Sequence, residues 1–581
     1  MKGQIFTLLL VINFSFQGLA QTNILTTNPL AEDILLGNYN PDDYIPSTVI
    51  DQPEDIIQDL MANTSANNIK DMLIDMSQFA NRNTGSDTIS TTNGIGAARK
   101  WAHQKFESFN SQNDNRLIVT YLQFDQLICS MGQHKNIMAV LPGVGPQYDE
   151  VVLIEAHYDS RCADACDGDC TAHGMEDNGS GSALVLELAR VMSQFTFNRT
   201  IVFMLTIGEE QGLYGANALA AYCDANNVKM YAVLNNDIVG GIACGETASP
   251  PGCPGLNDID SINVRLYSFG FFNSLHKGFS RFIKLQYHEN MRDQWPVQTV
   301  VNIMSGEDRV GRGGDHIPFR QAGYTAVRFT SANEHGDAGV SDPDYHDRQH
   351  TEDDLLGLDT NGDDILDTFF VDFNYLTRNA LLNGNAAAMA ALGPITPTLT
   401  SLESAPGGLT VTMDDPNNYG AYRIGLRSFT NDFDTVYTTT NTVFTISDLN
   451  LGTLYYVSVA SVDEHGIESL FTGELAEDIL NSIRQVEDPR KLQLLQNRPN
   501  PFDDQTSIGV WVESGFDFQS AEILVNDAKG SMIYREPISL NPGMNEIWYT
   551  HDHHQFKEGV FYYSLYIDGK VFDTKSMVYA Y

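Results

Sequence analysis

The chain has 581 residues, with 34 basic against 75 acidic side chains and a formal net charge of −41. That excess argues against a protein that grips nucleic acid or another polyanion, and the length exceeds one ordinary domain, so internal boundaries are expected. The charge describes a solvated acidic surface and identifies no substrate.

Met1-Lys2, the apolar run from Ile5 to Phe16 and the small residues Gly18-Leu19-Ala20 read as a secretory signal peptide over 1–20, cut ahead of Gln21. No later run reaches the roughly 20 apolar residues that a membrane span requires. The mature protein is therefore expected outside the cytoplasm, released or attached to the cell surface, with no transmembrane span. Residues 21–50 are rich in Asn, Asp and Pro with little apolar periodicity, and are expected to form a propeptide or flexible leader. From Asp51 a helical pattern leads into Arg82-Asn83-Thr84-Gly85-Ser86, followed by a second helix from Ala97 to Phe109.

Three apolar runs then end on candidate metal ligands. Val151-Val152-Leu153-Ile154 precedes His157, Thr200 to Leu205 precedes Glu209-Glu210, and Met230 to Leu234 precedes Asp237. Continuous apolar runs separated by helix-period segments read as parallel strands, whose ligand sites lie beyond their carboxyl ends. Ser180 to Gln194 reads as a helix after Asp177, with Gly179-Ser180-Gly181 allowing close backbone approach to a metal. Taken singly, each residue has a plainer reading: a core histidine, a helix cap, a solvated helix start. Together, imidazole and carboxylate ligands in this order suit two zinc-like ions sharing a carboxylate. Such ions lower the pKa of a water and polarise a carbonyl. No His-Glu-x-x-His, no Gly-x-Ser-x-Gly elbow and no phosphate-binding loop with Lys competes with this reading.

Between about Asp51 and Leu392 the chain resembles the M28 family of zinc peptidases, which includes bacterial leucyl aminopeptidases. The motifs that carry the resemblance are His157-Tyr158-Asp159-Ser160, Asp177-Asn178-Gly179-Ser180-Gly181, Gly208-Glu209-Glu210-Gln211-Gly212-Leu213-Tyr214-Gly215 and Gly314-Asp315-His316-Ile317-Pro318-Phe319. The resemblance implies that His157 and Asp237 hold one zinc, Glu210 and His350 hold the other, and Asp177 bridges the two Zn2+ ions. It also implies Glu209 as general base and Asp159 as the carboxylate that orients His157, with Asp315 and His316 in support. His346 competes with His350, which is preferred because Thr351 follows it and an acid, Asp353, stands three residues on. The implied activity is aminopeptidase action on peptides with a free N-terminus. Arg309 and Arg312 are read equally as substrate carboxylate binders and as loop-fixing residues. Alternatives are a glutaminyl cyclase-like single-zinc acyltransferase, which shares this ligand order, and a catalytically silent peptide-binding protein.

Of seven cysteines, Cys162, Cys166 and Cys170 crowd an insertion between His157 and Asp177, while Cys129, Cys223, Cys244 and Cys253 lie elsewhere. Loop disulfides are preferred to a cysteine–zinc site, with at least one thiol left over and the connectivity open. Asp359-Thr360-Asn361-Gly362-Asp363 resembles half of a calcium loop, but Phe370 occupies the position of the usual bidentate acid, so a simple turn is the default and Ca2+ the alternative. The last helix of the region runs from Val371 to Leu392. Overall the fold is expected to be α/β, a mixed, largely parallel central sheet flanked by helices over 51–393, followed by two β-sandwich domains at 396–476 and 486–581. Leu449-Asn450-Leu451-Gly452-Thr453-Leu454-Tyr455 resembles the tyrosine-corner region of fibronectin type III modules. Gln496-Asn497-Arg498-Pro499-Asn500-Pro501-Phe502 and the strands after it resemble a C-terminal sorting domain, which implies the type IX secretion machinery as a partner.

Overall fold

A computed structural model describes residues 21–243, 258–309, 312–332, 348–405, 408–450, 453–479, 492–513, 515–516, 518–527, 532–551, 558–568 and 570–580. Two compact units are distinguished: Met1–Tyr267 with Tyr287–Asn302 and Asp308–Leu392, and Ser268–Gln286 with Ile303–Glu307 and Gly393–Tyr581.

The first unit is built on nine strands: β1 (Thr22–Thr26), β2 (Ile118–Ile128), β3 (Met131–Leu141), β4 (Glu150–His157), β5 (Thr200–Thr206), β6 (Lys229–Asn236), β7 (Asn263–Tyr267), β8 (Val300–Ile303) and β9 (Ala326–Ser331). Their order across the sheet is β1-β2-β3-β5-β4-β6-β9-β7-β8. The pairings β5–β4, β4–β6 and β6–β9 are parallel, whereas β1–β2, β2–β3, β3–β5 and β7–β9 are antiparallel. The expectation of a largely parallel sheet is thus corrected to a parallel centre with antiparallel flanks. The central strands β4 and β5 carry uninterrupted apolar runs buried on both faces, whereas β2 alternates buried and half-exposed residues, as an antiparallel strand does.

Residues 21–50, expected to form a propeptide or flexible leader, contain regular elements. Strand β1 pairs with β2, and the helix that follows buries Ala31, Ile34 and Leu35. Its apolar residues are too few to show periodicity in sequence, but they suffice to dock one short helix.

The helices are α1 (Pro29–Leu35), α2 (Pro53–Asn63), α3 (Ala66–Ser77), α4 (Gly94–Phe109), α5 (Gly181–Met192), α6 (Tyr214–Asn226), α7 (Leu275–Asn290), α8 (His316–Gln321) and α9 (Phe373–Leu392). Every residue of α5 except Arg190 is buried, and α9 is buried from Tyr375 onward, so both are interior helices, α9 with Asn379, Asn383 and Asn385 among its buried residues. Gly384 lets α9 come close: a Cβ there would stand 2.9 Å from Leu188 and 3.1 Å from Leu60. Between α8 and α9, Asp359 accepts the amides of Asn361, Gly362, Asp363 and Asp364, and Asp367 accepts Thr360, which closes a hairpin between Gly357–Leu358 and Thr368–Phe369.

In the second unit, a three-stranded sheet (Thr398–Ala405, Gly408–Asp414, Val443–Ser447) and a four-stranded one (Ala421–Arg427, Thr435–Thr439, Leu454–Val462, Leu475–Asp478) share a core of Leu409, Val411, Ile424, Leu426, Val457 and Val459. A second pair of sheets repeats the plan around Ile508, Val510, Ile523, Val525, Tyr563 and Leu565. Alternating strand burial produces both cores. Ser268–Gln286 and Ile303–Glu307, although they fall within 51–393, belong with this unit: Arg281 binds Glu474, Lys284 binds Asp432, and Gln286 binds Glu468.

Candidate metal centre

The parallel strands β4, β5 and β6 end at one edge, with His157 opposite Thr206 in register. His157 is the last residue of β4, Glu209 and Glu210 follow β5 after one short loop, and Asp237 follows β6. Asp177 enters from the turn before α5. That turn is seated by Asn178, whose side chain donates to Asn236 O (2.8 Å) and accepts from Gly181 N (2.9 Å) and Ile238 N (3.2 Å). Gly181 packs directly on β6, where a Cβ would meet Asn236 O at 2.3 Å. The glycine therefore serves close helix–strand packing rather than approach to a metal. The Asp177-Asn178 peptide is cis.

Two sets of ligand atoms converge on Asp177. His157 Nε2 lies 3.2 Å from Asp177 Oδ1 and 3.4 Å from Asp237 Oδ1. His350 Nε2 lies 3.1 Å from Asp177 Oδ2 and 3.2 Å from Glu210 Oε2. Each oxygen of one carboxylate thus faces a different imidazole. Neighbouring ligands on a tetrahedral ion held at about 2.0–2.1 Å stand roughly 3.3 Å apart, so both sets have the spacing of a coordination shell. His157, Asp177 and Glu210 form one candidate metal group and His157, Glu209 and Asp237 another. His350 reaches the cluster from a left-handed backbone conformation, φ 61°. His346, Cys244 and Cys253 lie outside the described residues.

The donor set also fits a cation by its charge. Glu210 Oε1, Asp237 Oδ1 and Asp315 Oδ1 are buried without a hydrogen-bond partner, as are both oxygens of Glu155. Burial pushes the Glu209 carboxyl well above its ordinary range; His157 opposes this, and Asp237 and Glu210 add to it. Burial likewise raises Asp315 to about 7 and Glu155 well above normal. Burial works against a charged His350, but Glu210 and Asp177 outweigh it and hold the imidazole up at about 10. Too many carboxylates for the local cations is the arrangement that a divalent metal relieves.

Asp159 does less for His157 than the resemblance implies and more for the loop after β5. His157 Nδ1 meets the Asp159 backbone carbonyl at 3.2 Å and its carboxylate at 3.7 Å. The carboxylate oxygens instead accept the amides of Glu209 (3.4 Å) and Glu210 (3.3 Å) and the Thr84 hydroxyl (3.3 Å). Asp315 is buried and accepts the Thr206 hydroxyl, and His316 is buried at the start of α8. Arg309 is buried beside Asp308 at 3.5 Å, which is the loop-fixing arrangement, and Arg312 N donates to Arg309 O.

Three positioning residues escaped the sequence reading. Asp354 accepts the amides of Glu176 (2.9 Å) and Asp177 (3.0 Å) and so fixes the turn that carries Asp177; Asp353, the expected acid of that motif, is exposed. Arg328, an arginine within the apolar strand β9, binds Asp237 Oδ2 at 3.0 Å and Asp308 at 2.6 Å. Arg82 is buried and donates to the carbonyls of Tyr158 and Gly174, each at 2.8 Å. A charged residue in an otherwise apolar strand was the available signal for Arg328; the other two had none.

The cysteine insertion borders this edge. Disulfides join Cys129 to Cys166 and Cys162 to Cys170, and Cys223 is a buried free thiol. Within the insertion Ala165 O accepts Gln211 Nε2 (2.8 Å), next to Glu210, and Arg161 Nε stands 3.8 Å from Glu210 Oε2.

Comparison with known proteins agrees with this chemistry. The model of peptidase family M28 matches residues 136–247. A protein of Pyrenophora tritici-repentis described as a probable zinc metalloprotease is 31% identical over 377 residues, 62% of this chain and 81% of that one. A probable zinc metalloprotease of Pyricularia oryzae is 33% identical over 330 residues, covering 54% of this chain and 62% of the relative. Similar solved structures include the LapA aminopeptidase of Legionella pneumophila (19% identity, 60% of this chain and 78% of that one, TM-score 0.41) and the glutaminyl cyclase of Porphyromonas gingivalis (17%, 55% and 97%, TM-score 0.37). With a relative above 30% identity covered over four-fifths of its length, and the family's own motifs gathered at one sheet edge, the chain belongs to peptidase family M28.

Proposed function

We propose that the chain is a two-zinc exopeptidase that removes N-terminal residues from peptides. The observation that carries this reading is the position of Asp177 between His157 and His350, at 3.2 and 3.1 Å. His157 and Asp237 would hold one zinc, and Glu210 and His350 the other, with Asp177 shared. When bound, zinc supplies Lewis acidity toward the scissile carbonyl and a lowered pKa for water.

The chain's own residues do the remainder. Glu209, half-buried and with its amide fixed by Asp159, takes a proton from the attacking water and returns it to the leaving amine. Asp159 holds Glu209 and Glu210 in one register, so the base and a ligand move together. Surplus carboxylate at the edge favours a substrate that brings a free α-ammonium group. The test is zinc content per chain alongside hydrolysis of free and N-acetylated peptides: two zinc ions and cleavage of the free peptide alone are expected. One zinc with cyclisation of N-terminal glutamine would instead establish an acyltransferase.

The two β pairs are read as accessory modules. Asn450 N donates to Tyr455 Oη at 3.2 Å, which supports a fibronectin type III-like tyrosine corner. Export through a signal peptide and a C-terminal sorting domain is proposed from the sequence resemblance. Retention of a chain lacking 486–581 inside cells would support it, and normal export of that chain would refute it.

A further inference from the structure

A cavity of about 300 Å³ opens where the start of β3 and helix α4 meet the loop after β5, with Thr84, Arg99, Gln133, Lys135 and Ile207 among its walls. The antiparallel register pairs Ile137 with Leu205, which sets Lys135 beside Ile207, two residues before Glu209. The cavity therefore lies at the same end of the sheet as the metal centre. Its wall shares a carboxylate with the catalytic loop: Thr84 donates to Asp159, which accepts the amides of Glu209 and Glu210.

Charge sets this cavity apart in a chain carrying −41. Arg199, Arg328 and Arg427 are each buried against a carboxylate, at 2.6, 3.0 and 2.6 Å. Arg99 and Lys135 are half-buried, and among the described residues neither meets one. Lys135 Nζ lies over the ring of Tyr121, 5.3 Å away, and burial and then the nearby Arg99 hold its ammonium below its ordinary range. Gly132 leaves the rim open, since a Cβ there would meet nothing within 4 Å. Other buried cations that meet no carboxylate are tied to carbonyls, as Arg82 and Arg116 are, whereas Arg99 and Lys135 line an open cavity.

We propose that Arg99 and Lys135 bind an oxyanion, a carboxylate or phosphate group, in this cavity beside the catalytic edge. A guanidinium matches two oxygens of such a group and an ammonium adds a point charge. The anion is either a carboxylate of the peptide substrate or a free ion; the first source rests on the peptidase reading above.

The test uses the full zinc-loaded chain and one tripeptide in two forms, with a C-terminal carboxylate and with a C-terminal amide. For a substrate carboxylate, the acid form is favoured in kcat/KM, through KM, on the order of ten-fold, the size of one charge-assisted hydrogen bond. That ratio falls toward one in Arg99→Gln and, independently, in Lys135→Gln. For a free ion, the ratio is near one in every chain, while calorimetric titration with inorganic phosphate gives binding that either substitution abolishes. An acid preference and phosphate binding that both survive the substitutions, or the lack of both in the unsubstituted chain, would overturn the proposal. Cleavage of the amide form by the unsubstituted chain reports the peptidase reading separately.

Discussion

Two buried ionic clusters in this protein are satisfied in opposite ways. In the second unit, Glu474 accepts Arg427 Nε at 2.6 Å and its terminal nitrogen at 2.7 Å, Arg281 at 2.8 Å, and the Asn273 amide at 3.1 Å. The remaining donors of Arg427 meet the carbonyls of Ser428, Thr430 and Phe271, and its guanidinium lies over Tyr456 at 4.2 Å. Apart from Arg281 Nε, that knot is closed by protein groups. At the edge of the nine-stranded sheet the acids outnumber the cations, and Glu210, Asp237 and Asp315 each keep a buried oxygen without a donor. A buried charge paired within the chain is architecture; a buried acidic surplus has its partner outside the chain.

The largest effect that would sharpen this contrast is on turnover. Glu209→Gln is expected to lower kcat by about two to four orders of magnitude, the range of general acid–base catalysis, while zinc content is unchanged. Steady-state kinetics with metal analysis checks it, and a wild-type rate would remove Glu209 from the reaction. Glu474→Gln should act on stability, since it leaves two buried guanidiniums short of their carboxylate. A loss of about 3–5 kcal/mol is expected in denaturant unfolding. An unchanged midpoint would show that the carbonyls alone satisfy Arg281 and Arg427, and would blur the distinction between the clusters.

The same contrast explains what could be read from sequence. Four candidate ligands were legible because His157, Glu210 and Asp237 follow apolar strands and Asp177 precedes a helix, so short motifs carry both placement and chemistry; His350, read only from the motif around it, meets them at the same edge. The groups that hold them were not legible, because they come from distant segments through backbone contacts. Asp354 binds the amides of residues more than 170 positions away. Arg328 looks in sequence like an odd residue in a strand, and Arg82 like part of a loop. Strand β1 was hidden for a related reason: an edge strand of five residues with one buried side chain has no pattern to detect.

Asp354 gives the next prediction. Asp354→Asn keeps the size of the side chain but weakens its acceptance of the Glu176 and Asp177 amides, so the bridging carboxylate loosens. Zinc affinity should fall about 10–100-fold, as for other groups that orient metal ligands, measured by competition with a chelator. Asp353→Asn, at an exposed position, is the matched control and should leave affinity within error. Equal losses in the two variants would contradict the assignment.

The smallest effect concerns a single proton. Because Glu210 and Asp177 overcome burial and hold His350 at about 10, the imidazole is charged at neutral pH until metal arrives. Zinc takes the neutral ring, so binding below that value must expel a proton, and from this residue alone affinity should rise about ten-fold per pH unit. The sign follows from the raised pKa: the free chain holds the proton over the whole range below about 10, so raising pH in that range favours the metal, and the gain levels off above it. Calorimetry in buffers of different ionisation enthalpy counts the released protons. In His350→Gln the count should fall by one relative to the unsubstituted chain. An unchanged count would place the proton elsewhere in the cluster, and the acidic surplus at the sheet edge would then be neutralised by its own carboxyls.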